Sequence, residues 1–208
     1  MNKLALIVLA LAPATALAQP AAAKKAEPAA AVAPPAPPPA PPEVKLTVDA
    51  FKGNWKFDAT MSATGIPGMD KPATTKMAFN CKVVAGKTAV ACEAKAKTPM
   101  GPMEALYVVA YDPYLKAAHF MGISNMNEVH DHQCKWLGLT LTCAAFKGGM
   151  GPGGDEITED VTMTWEADKK CTANDATCLP TAKSVSFKST SKMTKGGATF
   201  TFEGKGKR

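Results

Sequence analysis

From about residue 54 onward the chain alternates. In "EITEDVTMTWEA", Ile157, Val161, Met163 and Trp165 fall on one parity, and Thr162, Thr164 and Glu166 fall on the other. In "ATFTFEG", Phe200 and Phe202 share a face. Side chains of an extended chain point to opposite sides with period two, so such segments half-bury as strands and present no helical stripe. Turn residues interrupt the pattern at regular intervals. The predicted strands are 54–62, 73–84, 88–97, 103–111, 116–124, 129–136, 139–146, 156–166, 183–192 and 198–205. This is the pattern of an all-β antiparallel sandwich or barrel. A short helical turn around "TVDAF" is expected to cap one end.

Two segments precede the alternating region. Residues 1–18, "MNKLALIVLALAPATALA", have one Lys near the start, an apolar stretch broken by Pro13 and a small-residue end, the pattern of a signal peptide cleaved before Gln19. Residues 19–45 are Ala and Pro with a few charges. They hold too few large apolar groups to offset ordering entropy, so a disordered, partly polyproline II linker is expected. The β domain is then expected over 46–208, exported to the periplasm or medium. No later stretch is long and apolar enough to span a bilayer as a helix, so the processed chain is not expected in the membrane. The formal net charge is +6, mostly scattered Lys with acids nearby, which points to solubility and away from nucleic acid. A monomer is expected.

The six cysteines fit export, because oxidising compartments favour disulfides. Six cysteines allow fifteen full pairings, and sequence alone leaves them open. Strand patterning prefers neighbours. In "KMAFNCKVVAGKTAVACEAKAK", a turn at 85–88 sets Cys81 opposite Cys92. In "CKWLGLTLTC", a two-residue turn at Gly138-Leu139 sets Cys134 opposite Cys143, in each case at a non-hydrogen-bonded position where side chains approach closely. "CTANDATC" would close a small loop through Cys171 and Cys178. No pair has the two-residue spacing of zinc knuckles, so the cysteines read as structural.

"FKGNWKF", with Gly53 and Trp55, resembles the Gly-x-Trp that opens lipocalin-like chains. "MGPMEALYVVAYDPYLKAAHFMGISNM" resembles the centre of a lipocalin-like domain-of-unknown-function family of small secreted bacterial proteins. In that family a Met-Gly-Pro loop leads a strand into a Tyr-Asp turn, here Tyr111-Asp112. The next strand ends near the place of the family's Asp-x-Met, here Asn125-Met126. The resemblance spans roughly residues 50–205 and implies an up-and-down calycin-type barrel of about ten strands. It carries no reaction. The six cysteines, and Asn125 in place of an acid, depart from the family pattern.

Alternate connections of an up-and-down barrel fall at the same end. One end then gathers "TGIPGMDKP", "TPMGP", "NMNE", "KGGMGPGG" and "TKGG", with Met69, Met100, Met126 and Met150, and Met103 and Met193 beside them. Methionine is flexible and polarizable, so this end reads equally as an adaptable mouth for a small apolar or amphipathic ligand and as a plugged rim. His130 and His132 start the sixth strand two positions apart and share a side with Cys134, facing either inward below the mouth or outward to solvent. With a thioether from Met126 or Met100 they would form a soft site for Cu(I), and the expectation is instead that they are an ordinary polar face outside the core. His119 reads as a packed or hydrogen-bonded histidine. No Gly-x-Ser-x-Gly elbow, His-Glu-x-x-His helix or phosphate loop occurs, so no enzyme activity and no cofactor are expected. The expected function is a binding protein. The alternative is a structural module whose barrel is filled by its own side chains.

Overall fold

The computed structural model describes residues 39–150, 155–167, 179–180 and 182–208. The expected leader, most of the expected linker and the expected Cys171–Cys178 pairing lie outside the described residues. Pro42–Phe51 form a helix, α1, which takes in the last positions of the segment expected as linker. Proline suits its first position, where a backbone N–H would have no helical partner.

Ten strands follow: β1 (Gly53–Thr64), β2 (Ala73–Val84), β3 (Ala89–Thr98), β4 (Gly101–Asp112), β5 (Ala117–Ser124), β6 (Val129–Leu137), β7 (Thr140–Met150), β8 (Asp155–Glu166), β9 (Ser184–Met193) and β10 (Thr199–Lys207). Each pairs antiparallel with its sequence neighbours, and β1 pairs with β10 to close the barrel. Each predicted strand is present within four residues at either end. Closure removes the open edges that a sandwich keeps.

The turns follow their sequences. Gly138 sits at φ 58°, which the two-residue connection between β6 and β7 requires. The Asp112 Oδ1 accepts from the Tyr114 and Leu115 N–H groups at 2.7 and 3.1 Å, forming the Tyr-Asp turn. Asn125 accepts from the Glu104 N–H at 2.9 Å and donates its Nδ2 to the Pro102 carbonyl at 3.2 Å. An Asp could make only the first bond, which accounts physically for an amide here.

The disulfides Cys81–Cys92 and Cys134–Cys143 join directly opposed residues of neighbouring strands, with Cα atoms 4.0 Å apart. Both lie toward the end closed by α1, in a core with Phe51, Val90, Leu141 and Trp165. All three tryptophans hold that helix. Trp55 Nε1 donates to the Phe51 carbonyl at 3.0 Å, Trp165 Nε1 to the Ala50 carbonyl at 3.1 Å, and Trp136 Nε1 to Thr47 Oγ1 at 3.1 Å. Arg208 adds bonds to the Asp49 and Ala50 carbonyls, both at 3.0 Å, and its guanidinium lies 4.4 Å from the Trp55 ring centre. The final helical carbonyls, which lack partners within the helix, are thus met by side chains of the barrel and its last residue.

Candidate functional site

Below α1 the barrel interior holds a cavity of about 190 Å³. Its wall is largely aromatic: Trp55, Phe57, Phe79, Tyr107, Phe120, Trp165, Phe187 and Phe202 line it with Met77, Met103 and Met163. The polar side of the wall is formed by His130, His132, Glu128, Glu159 and Ser189. This volume is smaller than the roughly 300–1,000 Å³ of pockets that take drug-sized ligands. It exceeds the roughly 150 Å³ that admits a benzene-sized guest.

His130 and His132 face inward from β6, only 7% and 0% exposed. The expectation that they lie outside the core is corrected by this burial. Glu159 reaches them from β8, although β7 runs between. The β7 strand makes this possible. It carries one more residue than β6 between the pairs Val129–Gly149 and Cys134–Cys143, and one more than β8 between Cys143–Val161 and Phe146–Glu159. Such bulges bend a strand and interrupt its ladder locally.

Glu159 Oε2 lies 3.1 Å from His132 Nε2 and 4.0 Å from His130 Nδ1. The Ser189 hydroxyl donates to its other oxygen, Oε1. Burial by itself would push the Glu159 carboxyl up. Hydrogen bonds from His132 and Ser189, with the charges of His132 and His130, outweigh that and hold it below the ordinary glutamate range. Glu128 Oε1 lies 3.4 Å from His130 Nδ1. Burial, and then the carboxylates of Glu128 and Glu159, push the Tyr107 phenol far above its ordinary value, so it stays neutral.

Ring packing sets the imidazole of His130. It stacks on Tyr107 at 5.7 Å and 23°, and on Phe120 at 6.0 Å and 22°. Gly122 of β5 lies between Tyr107 and His130 in the strand register. A Cβ there would come within 2.4 Å of His130 Nε2 and 2.6 Å of the Tyr107 ring. The missing side chain is the space the two rings use.

The methionines expected at the mouth are dispersed. Met103 lines the cavity. Met69 packs on Met61, Ala63, Ala198 and Phe200 at the rim, Met100 is exposed, and Met126 is half-buried in the β5–β6 connection without lining the cavity. The side chain of Met150 lies outside the described residues. The expected Met126 ligand is therefore not beside the histidine pair in the cavity wall, and a carboxylate, Glu159, is. His119 points from the outer face of β5 to Asp131, with Nδ1 3.0 Å from Oδ1.

Glu159 had a signal in the sequence. It occupies the same parity as Ile157, Val161, Met163 and Trp165, so it is an acid on the apolar face of a strand. Ser189 and Tyr107 offered nothing to separate them from ordinary strand residues.

No family model and no curated protein matches the chain. Among solved structures the chain is similar to the crystal structure of Rv2717c from M. tuberculosis. The identity is 10%, the TM-score is 0.48, and the match covers 76% of this chain and 92% of that one.

Proposed function

We propose that the barrel is an exported, non-enzymatic binding protein for one small apolar or amphipathic molecule, held inside the barrel. The observation that carries this reading is the cavity of about 190 Å³ with an aromatic wall and a single polar side. Apolar lining with a few convergent polar groups is the usual composition of a small-molecule site. The volume suits a single ring or short chain whose polar end meets the histidine–glutamate side. The two disulfides are compatible with an oxidising destination such as the periplasm or medium. Among the described residues, no helix is long and apolar enough to cross a membrane.

Native mass spectrometry against a panel of benzene- to indole-sized compounds, paralleled by tryptophan fluorescence, tests the proposal. One guest per chain is expected, with Trp55 and Trp165 fluorescence changed because both line the cavity. Val161→Phe should fill part of the volume and abolish binding while the fold persists. A wild-type chain that takes no member of the panel would instead favour the filled-barrel module.

A further inference from the structure

We infer that His130, His132 and Glu159 form a binding site for a divalent first-row transition ion inside the barrel. One ligand atom from each residue lies within 4.8 Å of the other two. An ion at about 2.0–2.2 Å from nitrogen and oxygen ligands needs those atoms roughly 3–3.5 Å apart, so modest side-chain rotation closes the set. The His132–Glu159 distance of 3.1 Å already meets it.

The surroundings fit coordination. Both imidazoles are buried, facing the interior of the barrel. Tyr107 and Phe120 hold the His130 ring by stacking, and Gly122 leaves it room. Ser189 occupies one oxygen of Glu159 and leaves Oε2 toward the histidines, the arrangement by which an outer partner orients a ligating carboxylate. Glu128 stands by His130 as a second carboxylate.

The donor set selects the class of metal. Two imidazole nitrogens and a carboxylate oxygen suit Zn²⁺, Fe²⁺ or Co²⁺ better than Cu(I), which prefers sulfur. The sulfur of Cys134 is tied to Cys143. Three protein ligands leave coordination positions free, and all three line the cavity. This site stands independently of the apolar-guest reading, because metal binding requires no guest.

Competition of the full chain against a chromogenic chelator with Zn²⁺, and the visible spectrum with Co²⁺, provide the test. One ion per chain is expected. Glu159→Gln, nearly isosteric, and His132→Ala should each weaken Zn²⁺ at least 30-fold, with thermal melts confirming the fold. Met126→Leu and His119→Ala should leave affinity unchanged. X-ray absorption of the Zn²⁺-loaded wild type should count two imidazoles, a readout that needs no variant to fold. Failure of the wild type to bind stoichiometrically, one imidazole or none in the absorption spectrum, or affinity lost with His119→Ala would each overturn the site. In any of those outcomes the guest titration still reads the cavity separately.

Discussion

At the scale of single residues, the interior is organised around glycines that give their space to rings. Gly122 faces Tyr107 on one side and His130 on the other, and Gly206 faces Phe57, whose ring a Cβ would approach to 2.4 Å. An aromatic ring covering a cross-strand glycine supplies the packing that the glycine lacks. Gly122→Ala is expected to force the His130 ring from its position, destabilising the barrel by about 1–3 kcal/mol through overpacking. The same change should weaken Zn²⁺ binding at least tenfold. Urea unfolding monitored by tryptophan fluorescence and chelator competition measure the two effects. An alanine variant with unchanged stability and affinity would show that the rings do not depend on this gap. Glu159 belongs to this scale as well. Its parity betrayed an acid on a buried face, but nothing local indicated which side chains would meet it.

At the scale of elements, α1 depends on the barrel. An isolated helix of ten residues is marginal in water, so its stability comes from packing and from donors to its last carbonyls. Trp55→Phe keeps an aromatic ring, although a smaller one, and removes the donor to the buried Phe51 carbonyl. The expected loss is about 1–3 kcal/mol, the usual cost of leaving a buried acceptor unmet, measured by urea unfolding. A second prediction concerns Asp49 on the same helix. Burial pushes its carboxyl up, but hydrogen bonds and charge from Lys45 and Lys52, at 2.5 and 2.6 Å, outweigh that and lower it. A lowered carboxylate contributes stability above its unfolded pKa, about 3.9, and loses that contribution as pH falls through the lower folded value. Wild type should therefore lose more stability than Asp49→Asn as pH drops below about 4. Parallel acid limbs for the two chains, read from melts at stepped pH, would rule out this linkage.

At the scale of the molecule, closure of β1 on β10 makes residues at the two ends of the folded unit mutually dependent. Arg208 reaches Asp49 and Ala50 in α1, so the last residue seats the first element. The unit Pro39–Arg208 contains the whole closed barrel. A chain beginning at Pro39 is expected to melt within about 2 °C of the full chain, a shift below about 1 kcal/mol for a domain of this size. Deleting residues 199–208 should instead leave two unpaired strand edges and an insoluble product. Differential scanning calorimetry and the soluble fraction after expression read these outcomes. A large drop in melting temperature for the shorter chain would place part of the stability outside this unit.

The sequence by itself determined the strands, their turns and the two hairpin disulfides, because period-two alternation and turn chemistry are local properties of a chain. Cys81 and Cys92 are 11 positions apart, and Cys134 and Cys143 are 9, so a correct turn suffices to oppose them. The Gly53–Trp55, Tyr111-Asp112 and Asn125 motifs were also visible, and each proves to make a turn or hold the helix end. Only the tertiary structure decided the site. Period two sorts a strand into two faces without stating which one looks inward, and the buried side of β6 carries His130 and His132. Glu159 lies 27 positions beyond His132 and reaches it past a bulged strand, a convergence that requires the curvature of the closed barrel. The methionines separate for the same reason. Sharing one end of a barrel by connectivity does not place side chains on a common cavity, and packing there sent Met69 to the rim cluster and Met103 to the wall.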